Sequence, residues 1–561
     1  MTSKQIKNEI IKSQKQKKEK CKKIDCNKLL FIVCRSGIKI NLKELKQINP
    51  ILYKKLTTFF IIKTKSLTGY INIIKAYHTR NAYMVFPRFG LLTYLKSNTI
   101  NYYIKNILKG GCSPSIPYKW TGLYTNNQAL IETHILDNYY SHTSLKHGNS
   151  GLILNLEAGQ GKTYLSVGML QKIQKKALII CPTKNIMYQW IKVLKDGYPQ
   201  NTIAHYYGEK KEYGDVVVGI INSLISDKLY INDIQVSIKD FFEPFGIVIF
   251  DEIHEYSSRL RCKIYNRVQT SYMLGLSATP DEKQFKMDNI NTWNCGSILE
   301  ADKIIGYSIE DAPFKGVVTK ISYNGHPLYT SPPITESTGM ICHATMINQI
   351  CDDPYRVHII IKLISDLRKK AKFIFVFADR RKYLTKIKEE LDLFDFKYYE
   401  LFDENDILVV NQLMGGNTSD DIEYAKKNSN IILTTYQYMG TGCSIPKMDA
   451  IILTTPKKKK SKQYINRIFR LGSNYDSVRE IIDIVDISTY LKSQWYSRKK
   501  YYNDKQYVIN TEIVMWKDIE TEMIEMGILC DDDDDDYNDD DDTHTTVDEL
   551  ERILDMHRIL C

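Results

Sequence analysis

The chain has 561 residues, 43% of them hydrophobic, and a formal net charge of +11 at pH 7. Because this length exceeds what one hydrophobic core supports, about three or four folding units are expected. No apolar run approaches the ~18 residues of a membrane-spanning helix, which excludes a helical membrane protein, and the positive charge favours a polyanionic partner.

The N-terminal region is first basic and then mixed in pattern. Residues 1–28 form a lysine-rich basic arm, which is either a solubilising tail or a segment that binds nucleic acid. Strand-like runs at 29–34 and 83–86 predict a small α+β domain over 29–115. Its pattern indicates no function.

Strands and helices alternate regularly from residue 116 to residue 285. One helix is predicted to begin at Lys162 and a second to cover 185–194. The predicted strands cover 151–156, 177–181, 216–220, 247–251 and 272–277. Alternation of this kind predicts a parallel sheet covered by helices, with ligands at the carboxyl ends of the strands.

A glycine-rich turn joins the first of these strands to its helix. It contains Gly159, Gly161, Lys162 and Thr163. Such a turn directs backbone N–H groups at a polyphosphate, with Lys162 reaching the β- and γ-phosphates and Thr163 ligating Mg²⁺. Leu156 stands where the usual G-x-x-x-x-G-K-[ST] pattern has its first glycine.

Two acids follow the apolar strand that ends at residue 250. Asp251 is expected to hold Mg²⁺, and Glu252 to orient the attacking water. An isolated acidic pair is also typical of a solvated strand end, but the glycine-rich turn upstream at this spacing favours nucleotide chemistry. The two segments together predict an ATP-hydrolysing site.

Residues 286–354 are irregular in pattern and are predicted to link two lobes. The second lobe is predicted over 355–505, with helices at 355–370, 380–391, 419–427 and 462–471 and strands at 373–377, 431–434, 450–453 and 481–485. The sequence of this lobe has no glycine-rich phosphate loop of its own. ATP is therefore expected to be sandwiched between the lobes.

The helix predicted over 462–471 carries Gln463, Arg467 and Arg470 along one face. Two arginines aimed at a cleft would stabilise the charge that develops on the γ-phosphate. A basic helix on the protein surface would show the same spacing, so both interpretations stay open for this segment alone.

The C-terminal part is predicted as a helix over 488–504, an extension over 506–530 and a disordered acidic tail over 531–561. The helix mixes aromatic and basic residues, which suits either contact with a single strand or packing on the second lobe. Ten aspartates between 531 and 542 leave +21 on the rest of the chain. The tail is either a solubilising or docking segment or a mimic of a phosphate backbone that occupies the basic cleft.

Taken in chain order, these segments resemble the superfamily 2 DExH helicases and translocases over roughly residues 118–502. The resemblance implies two tandem RecA-like lobes of α/β fold. It assigns Gln128 to adenine recognition and Gly442 to a second-lobe element that contacts nucleotide and nucleic acid. The residues that it assigns to gripping nucleic acid, or to coupling that grip to the ATP site, are Thr183, Asn222, His254, Ser277, Thr279 and Thr434. Asn466 and Ser444 depart from the residues that many relatives carry.

Several segments resemble helicases of phages and large DNA viruses, including the poxvirus transcript-release type. They are the glycine-rich turn that starts with Leu156, residues 441–444, and residues 482–486 together with Gln494 and Arg498. This resemblance implies ATP and Mg²⁺ as cofactors and DNA or RNA as the partner. It also implies a role in transcript release or elongation, or in DNA repair. The alternative is a non-unwinding translocase subunit that moves on double-stranded DNA within a larger transcription or restriction complex. A scaffold with an inactive ATP site is disfavoured, because the expected catalytic set is intact.

The twelve cysteines are scattered, without a C-x-x-C pair or the Cys/His spacing of a zinc site. The lysine-rich start lacks the apolar core of a secretory signal. These features predict reduced thiols and an intracellular protein, which in a virus-infected cell means the host cytoplasm, a viral factory or the virion.

Overall fold

The computed structural model comprises a small N-terminal domain and two larger lobes, each lobe built on its own sheet. The residues that it describes are 29–65, 71–100, 102–157, 159–278, 287, 289–308, 315–335, 339, 341–393, 401, 407–439, 445, 447–457, 461–469 and 478–529. The predicted basic arm and acidic tail lie outside these residues. Within the described ranges, no helix is long and apolar enough to cross a membrane.

The N-terminal domain has α+β architecture. Its strands are β1 Leu30–Cys34, β2 Gly37–Asn41, β3 Ile61–Lys65, β4 Ile71–Lys75, β5 His78–Arg80, β6 Tyr83–Phe86 and β7 Tyr103–Asn106. Its helices are α1 Leu42–Ile48, α2 Pro50–Phe59 and α3 Arg88–Ser97. The sheet has the order β5-β6-β2-β1-β7, and β3 and β4 form a separate hairpin. Alternate side chains such as Phe31, Val33 and Ile40 face a core closed by apolar residues of the three helices.

The first lobe carries an eight-stranded sheet of order β11-β10-β12-β9-β15-β16-β8-β17. The strands of the lobe are β8 Gly151–Asn155, β9 Ala177–Cys181, β10 Ile203–Tyr207, β11 Lys210–Lys211, β12 Val216–Ile220, β13 Leu229–Ile231, β14 Ile234–Val236, β15 Ile247–Phe250, β16 Tyr272–Ser277 and β17 Ser297–Glu300. Its helices are α4 Asn126–Asn138, α5 His142–Lys146, α6 Lys162–Ile173, α7 Lys184–Gly197, α8 Ile221–Leu224, α9 Ile238–Phe242 and α10 Asn289–Cys295. The strands of the eight-stranded sheet are parallel except for the β10–β11 hairpin, as the alternating sequence pattern predicts, and β13 and β14 form a separate antiparallel hairpin.

The second lobe carries a seven-stranded parallel sheet of order β20-β21-β19-β22-β23-β18-β24. Its strands are β18 Gly316–Asn324, β19 Ile374–Ala378, β20 Val410–Leu413, β21 Ile431–Thr435, β22 Ala450–Leu453, β23 Arg479–Asp486 and β24 Val508–Met515. Its helices are α11 Pro327–Thr330, α12 His343–Asp352, α13 Pro354–Lys369, α14 Arg381–Asp392, α15 Ser419–Asn428, α16 Tyr436–Met439, α17 Ser461–Ile465, α18 Ser493–Asp504 and α19 Trp516–Glu525.

The prediction of a linker over 286–354 is wrong for part of that range. Strand β17 extends the first sheet, and β18 lies inside the second sheet between β23 and β24. Strand β24 comes from the predicted C-terminal extension. Neither β18 nor β24 is a continuous apolar run. Strand β18 mixes buried with half-buried residues, and β24, at the edge of the sheet, has no buried residue. The sequence signal for a buried parallel strand is therefore weak at both.

The N-terminal domain docks on the first lobe through Arg88, the first residue of α3. This side chain is fully buried, and its guanidinium donates to the carbonyls of Gly148 and Thr270. Those carbonyls precede β8 and β16, so the domain lies at the N-terminal edge of the first sheet. Burial beside neutral carbonyls lowers the pKa of Arg88 to about 9.

A buried ion pair fixes α18 to β23. Arg498 of α18 donates to both carboxylate oxygens of Asp483, at 2.7 and 2.8 Å, and Tyr502 donates to Asp483 at 2.9 Å. Trp495 and Tyr501 are also buried. Of the two interpretations of the helix predicted over 488–504, packing on the second lobe is therefore the one that the structure supports.

Candidate active site

The carboxyl ends of β8, β16 and β15 meet at one edge of the first sheet. The glycine-rich turn follows β8, and the acidic pair follows β15. Because β16 lies between these strands, the two segments are separated by two strand spacings, or about 10 Å. The parallel sheet thus brings together two segments that lie far apart in the sequence.

The glycine-rich turn requires glycine at two positions. Gly159 and Gly161 have φ angles of 89° and 75°, in the left-handed region that favours glycine. A Cβ at Gly161 would lie 2.3 Å from Nε2 of Gln128. Helix α6 begins directly after this turn, so its N-terminal N–H groups face the same space.

Lys162 folds back on the turn. Its ammonium donates to the carbonyls of Leu156 and Glu157, at 2.7 and 3.2 Å. Thr163 occupies the next position in the first turn of α6. The lysine charge is thus held at the mouth of the turn, where a phosphate would replace the carbonyls as its partner.

Gln128 lies beside the same turn, at the start of α4. Its side chain and Thr125 cap the helix reciprocally, with the Thr125 N–H donating to Oε1 at 3.0 Å. Its Nε2 lies 3.5 Å from the Gly161 carbonyl. The contacts of Gln128 in this conformation are therefore with the protein itself.

Asp251 is almost buried and acts as a hydrogen-bond acceptor. The indole N–H of Trp190 donates to Oδ2 at 2.7 Å, and the Glu252 N–H donates to Oδ1 at 2.9 Å. Burial and then the charge of Glu252 raise the pKa of Asp251 to about 6, against the opposing charge of Lys162. Its carboxylate is thus held in a fixed orientation near Lys162.

A histidine connects the acidic pair to the next strand. Nδ1 of His254 lies 3.0 Å from the Ser277 hydroxyl and 3.5 Å from a carboxylate oxygen of Glu252. Ser277 is the last residue of β16 and is fully buried. His254 therefore contacts both the acidic pair and the carboxyl end of β16.

The second lobe contacts the glycine-rich turn. Lys505, which follows α18, forms an ion pair with Glu157 at 2.6 Å. Burial raises the pKa of Tyr501 most, followed by Tyr507 and then by the charge of Glu157, so Glu157 lies near this tyrosine. The Tyr501 hydroxyl donates to Oδ1 of Asn466. The turn around residue 466 is thus close to the glycine-rich turn of the first lobe.

Gln463 and Arg467 are each only 7% exposed. The helix predicted over 462–471 is wrong in length, because α17 ends at Ile465 and Arg467 lies in the turn that follows. Gln463 and Arg467 therefore do not share one face of a continuous helix. Arg470 lies outside the described residues, as do Thr279 and Gly442.

The residues expected to grip nucleic acid have different environments. Thr183 occupies the N-cap position of α7, and Asn222 is exposed in the short helix α8. The structure contradicts a surface role for Thr434. Its side chain is fully buried inside the second sheet, and its hydroxyl donates to the Leu413 carbonyl at 2.7 Å.

Two contacts of the site have no clear signal in the sequence. Trp190 lies on α7, the helix that follows Thr183, and its indole is fully buried behind Asp251. Lys505 is one of many lysines, and only the packing of the lobes brings it to Glu157.

Comparison with known proteins places this site in a family. Residues 126–282 match the family described as "Type III restriction enzyme, res subunit". The chain is 33% identical over 377 residues to the "Putative ATP-dependent RNA helicase QP509L" of African swine fever virus, covering 64% of this chain and 69% of that protein. It is 23% identical over 337 residues to "Transcript termination protein A18" of Yaba monkey tumor virus, covering 56% of this chain and 64% of that protein.

Among solved structures, UvsW of T4 is 17% identical, with 87% of this chain and 99% of that chain covered and a TM-score of 0.32. The identity and coverage shared with the African swine fever virus protein decide the family. The chain belongs to the ATP-dependent superfamily 2 helicases of large DNA viruses.

Proposed function

We propose that this ATP hydrolase converts the opening and closing of its two lobes around ATP into movement along DNA or RNA. The observation that carries the proposal is the contact of the second lobe with the glycine-rich turn through Lys505 and Glu157. A nucleotide bound at that turn would touch both lobes. Hydrolysis would then change how strongly it holds them together.

In this proposal the first lobe supplies most of the phosphate contacts. The turn with Gly159 and Gly161 surrounds the phosphates, Lys162 neutralises their charge, and Glu252 orients the attacking water. Gln128 recognises the adenine. Its position beside Gly161 supports that assignment.

Thr163 and Asp251 would hold Mg²⁺. Hydroxyl and carboxylate oxygens are the ligands that Mg²⁺ prefers, and a carboxylate oriented by two N–H donors fits that role. When bound, the cation would neutralise charge on the β- and γ-phosphates. Because burial raises the pKa of Asp251, a cation beside it would offset an unfavourable buried charge.

The second lobe would complete the site from the opposite side. Arg467 would stabilise the charge that develops on the γ-phosphate, together with Gln463 and Arg470. Gly442 would contribute to the nucleotide contact of the same lobe. The closeness of the turn around Asn466 to Glu157 supports this role for Arg467.

Nucleic acid would be held by Thr183 and Asn222 on the first lobe. His254, Ser277 and Thr279 would transmit the state of the nucleotide to that grip, and the 3.0 Å contact between His254 and Ser277 supports the first step. Thr434 has no part in this grip, because its hydroxyl donates to the Leu413 carbonyl inside the sheet.

The names of the relatives point to viral transcription as the setting. One similar protein is called an RNA helicase and another a transcript termination protein. We therefore propose a role in releasing or elongating transcripts. DNA repair is the second setting that the family resemblance implies.

Steady-state ATP hydrolysis with different polymers tests the proposal. We expect hydrolysis to be stimulated by single-stranded DNA, duplex DNA or RNA, relative to no polymer. Lys162→Ala and Glu252→Gln should abolish it, because they remove a phosphate contact and the group that orients the water. If no polymer stimulates hydrolysis, the proposal is wrong.

A second candidate function is a translocase subunit that moves on duplex DNA without separating its strands. The match of residues 126–282 to the res subunit of a type III restriction enzyme favours it. A strand-displacement assay distinguishes the two functions. ATP hydrolysis stimulated by duplex without displacement would support the translocase, and displacement would support the helicase.

A further inference from the structure

The outer face of the N-terminal sheet has the composition of a nucleic-acid-binding surface. Between residues 29 and 106 the sequence contains thirteen lysines and arginines and a single acid, Glu44. Glu44 belongs to α1, which packs on the inner face of the sheet. The five strands of the sheet contain no acidic residue at all.

Strand register arranges this outer face into two parallel rows. In the first row Arg80 pairs with Tyr83, Tyr83 pairs with Asn41, and Leu30 pairs with Tyr103. In the second row Lys39 pairs with Ile32, and Ile32 pairs with Lys105. The rows are two residues apart along each strand, or about 7 Å.

The first row carries the two tyrosines, and the second carries Lys39 and Lys105, with Ile32 between them and the buried Val85 beside Lys39 on β6. Tyr103 is 66% exposed, and Leu30 beside it is 42% exposed. Tyr83 is half-buried, with the Lys39 ammonium 4.9 Å from its ring centroid. Three strand spacings, or about 14 Å, separate Tyr83 from Tyr103.

We propose that this face, defined by Tyr83, Tyr103, Lys39, Lys105 and Arg80, binds single-stranded nucleic acid. A strand that crosses the sheet would stack bases on the tyrosines, with its phosphates along the row of lysines. Stacking on side chains requires bases that are not paired in a duplex. The chemistry therefore selects an unpaired strand, whether of RNA or of DNA.

This face is separate from the ATP site. Arg88 docks the domain at the N-terminal ends of β8 and β16, whereas the glycine-rich turn follows the carboxyl end of β8. Five residues of strand, or about 17 Å, lie between the two edges. The face would therefore hold the strand at a second point while the lobes move along it. That use rests on the proposed function, although binding itself does not.

Fluorescence anisotropy with the full chain tests the inference. The probes are a short labelled oligo(dT), the matching oligo(U) and a duplex of the same length, titrated without nucleotide. Tyr103→Ala should weaken single-strand binding about tenfold, the effect of losing one stacked base. Lys105→Gln should lower the slope of log affinity against log salt by about one.

Lys55→Gln is the matched control. It removes the same charge from the same domain, but Lys55 is exposed on α2, on the other side of the sheet. Its single-strand affinity should stay close to that of the wild type, and the thermal unfolding of all three variants should be unchanged. If Tyr103→Ala and Lys105→Gln bind like Lys55→Gln, or if the wild type prefers the duplex, the inference is overturned.

Failure of the inference and failure of the proposed function are distinguishable. If single strands stimulate ATP hydrolysis but Tyr103→Ala binds them normally, the inference fails and the motor stands. If Tyr103→Ala weakens binding but no polymer stimulates hydrolysis, the surface stands and the motor fails.

Discussion

At the scale of single residues, the charge state of Asp251 controls the proposed metal contact. Burial and the neighbouring Glu252 raise the pKa of Asp251 to about 6, and the hydrogen bond from Trp190 opposes that shift. The carboxylate can serve as a ligand only when it is ionised. Its environment therefore sets a lower pH limit for activity.

The acid limb of the pH profile should lie near pH 6 and should depend on Trp190. As pH falls through about 6, Asp251 takes up a proton and loses its capacity to hold a cation. Trp190→Phe removes a hydrogen bond to the ionised form, so it should move the acid limb of kcat/KM for ATP hydrolysis to higher pH. Trp495→Phe, a control in the second lobe, should leave the acid limb at the wild-type pH. The protonation of ATP itself is the same for both variants, so it does not account for a difference between them.

The contact between His254 and Ser277 should determine how far nucleic acid stimulates hydrolysis. Its 3.0 Å geometry joins the acidic pair to the end of β16. His254→Ala should lower the ratio of stimulated to basal ATP hydrolysis toward one, whereas the exposed His147→Ala should keep the wild-type ratio. Equal ratios in both variants would contradict the coupling role.

Part of the site can be predicted from the amino-acid sequence, and part cannot. Lys162, Thr163, Asp251 and Glu252 follow from short local patterns, because strand ends in a parallel sheet converge. The position of the Trp190 indole behind Asp251 depends on how α7 packs across β9 and β12. No local pattern encodes that packing.

At the scale of elements, exposure decides which strands can be predicted. Strands β9 and β15 are completely buried and read as continuous apolar runs. Strands β18 and β24 are partly exposed and mix polar with apolar residues. The short α17 has a different cause, because the turn after Ile465 is held by the contact between Asn466 and Tyr501 of α18.

The docking of α3 on the first lobe should depend on Arg88. Arg88→Met leaves the buried carbonyls of Gly148 and Thr270 without their donor, at a cost of about 3 kcal/mol. Hydrogen exchange should then become faster in α3 and at the start of β8. Lys96 lies in the same helix and is exposed, so Lys96→Met serves as the control, and its hydrogen exchange should match that of the wild type. Unchanged protection in Arg88→Met would refute the docking role.

At the scale of the whole molecule, the lobes meet at the glycine-rich turn through an exposed contact. A surface ion pair such as that of Lys505 and Glu157 contributes about 0–1 kcal/mol. Such a contact holds the lobes near each other without locking them. This suits a cleft that opens and closes once for each ATP.

The central claim is that both lobes act on one triphosphate, and single-turnover hydrolysis by Arg467→Ala tests it most directly. With saturating polymer, ATP binding should stay close to the wild type, because the first lobe supplies most phosphate contacts. Hydrolysis should fall about a thousandfold, the effect of losing an arginine finger. Lys492→Ala, an exposed cation of the same lobe, serves as the control. Hydrolysis by Arg467→Ala at the wild-type rate would contradict the account.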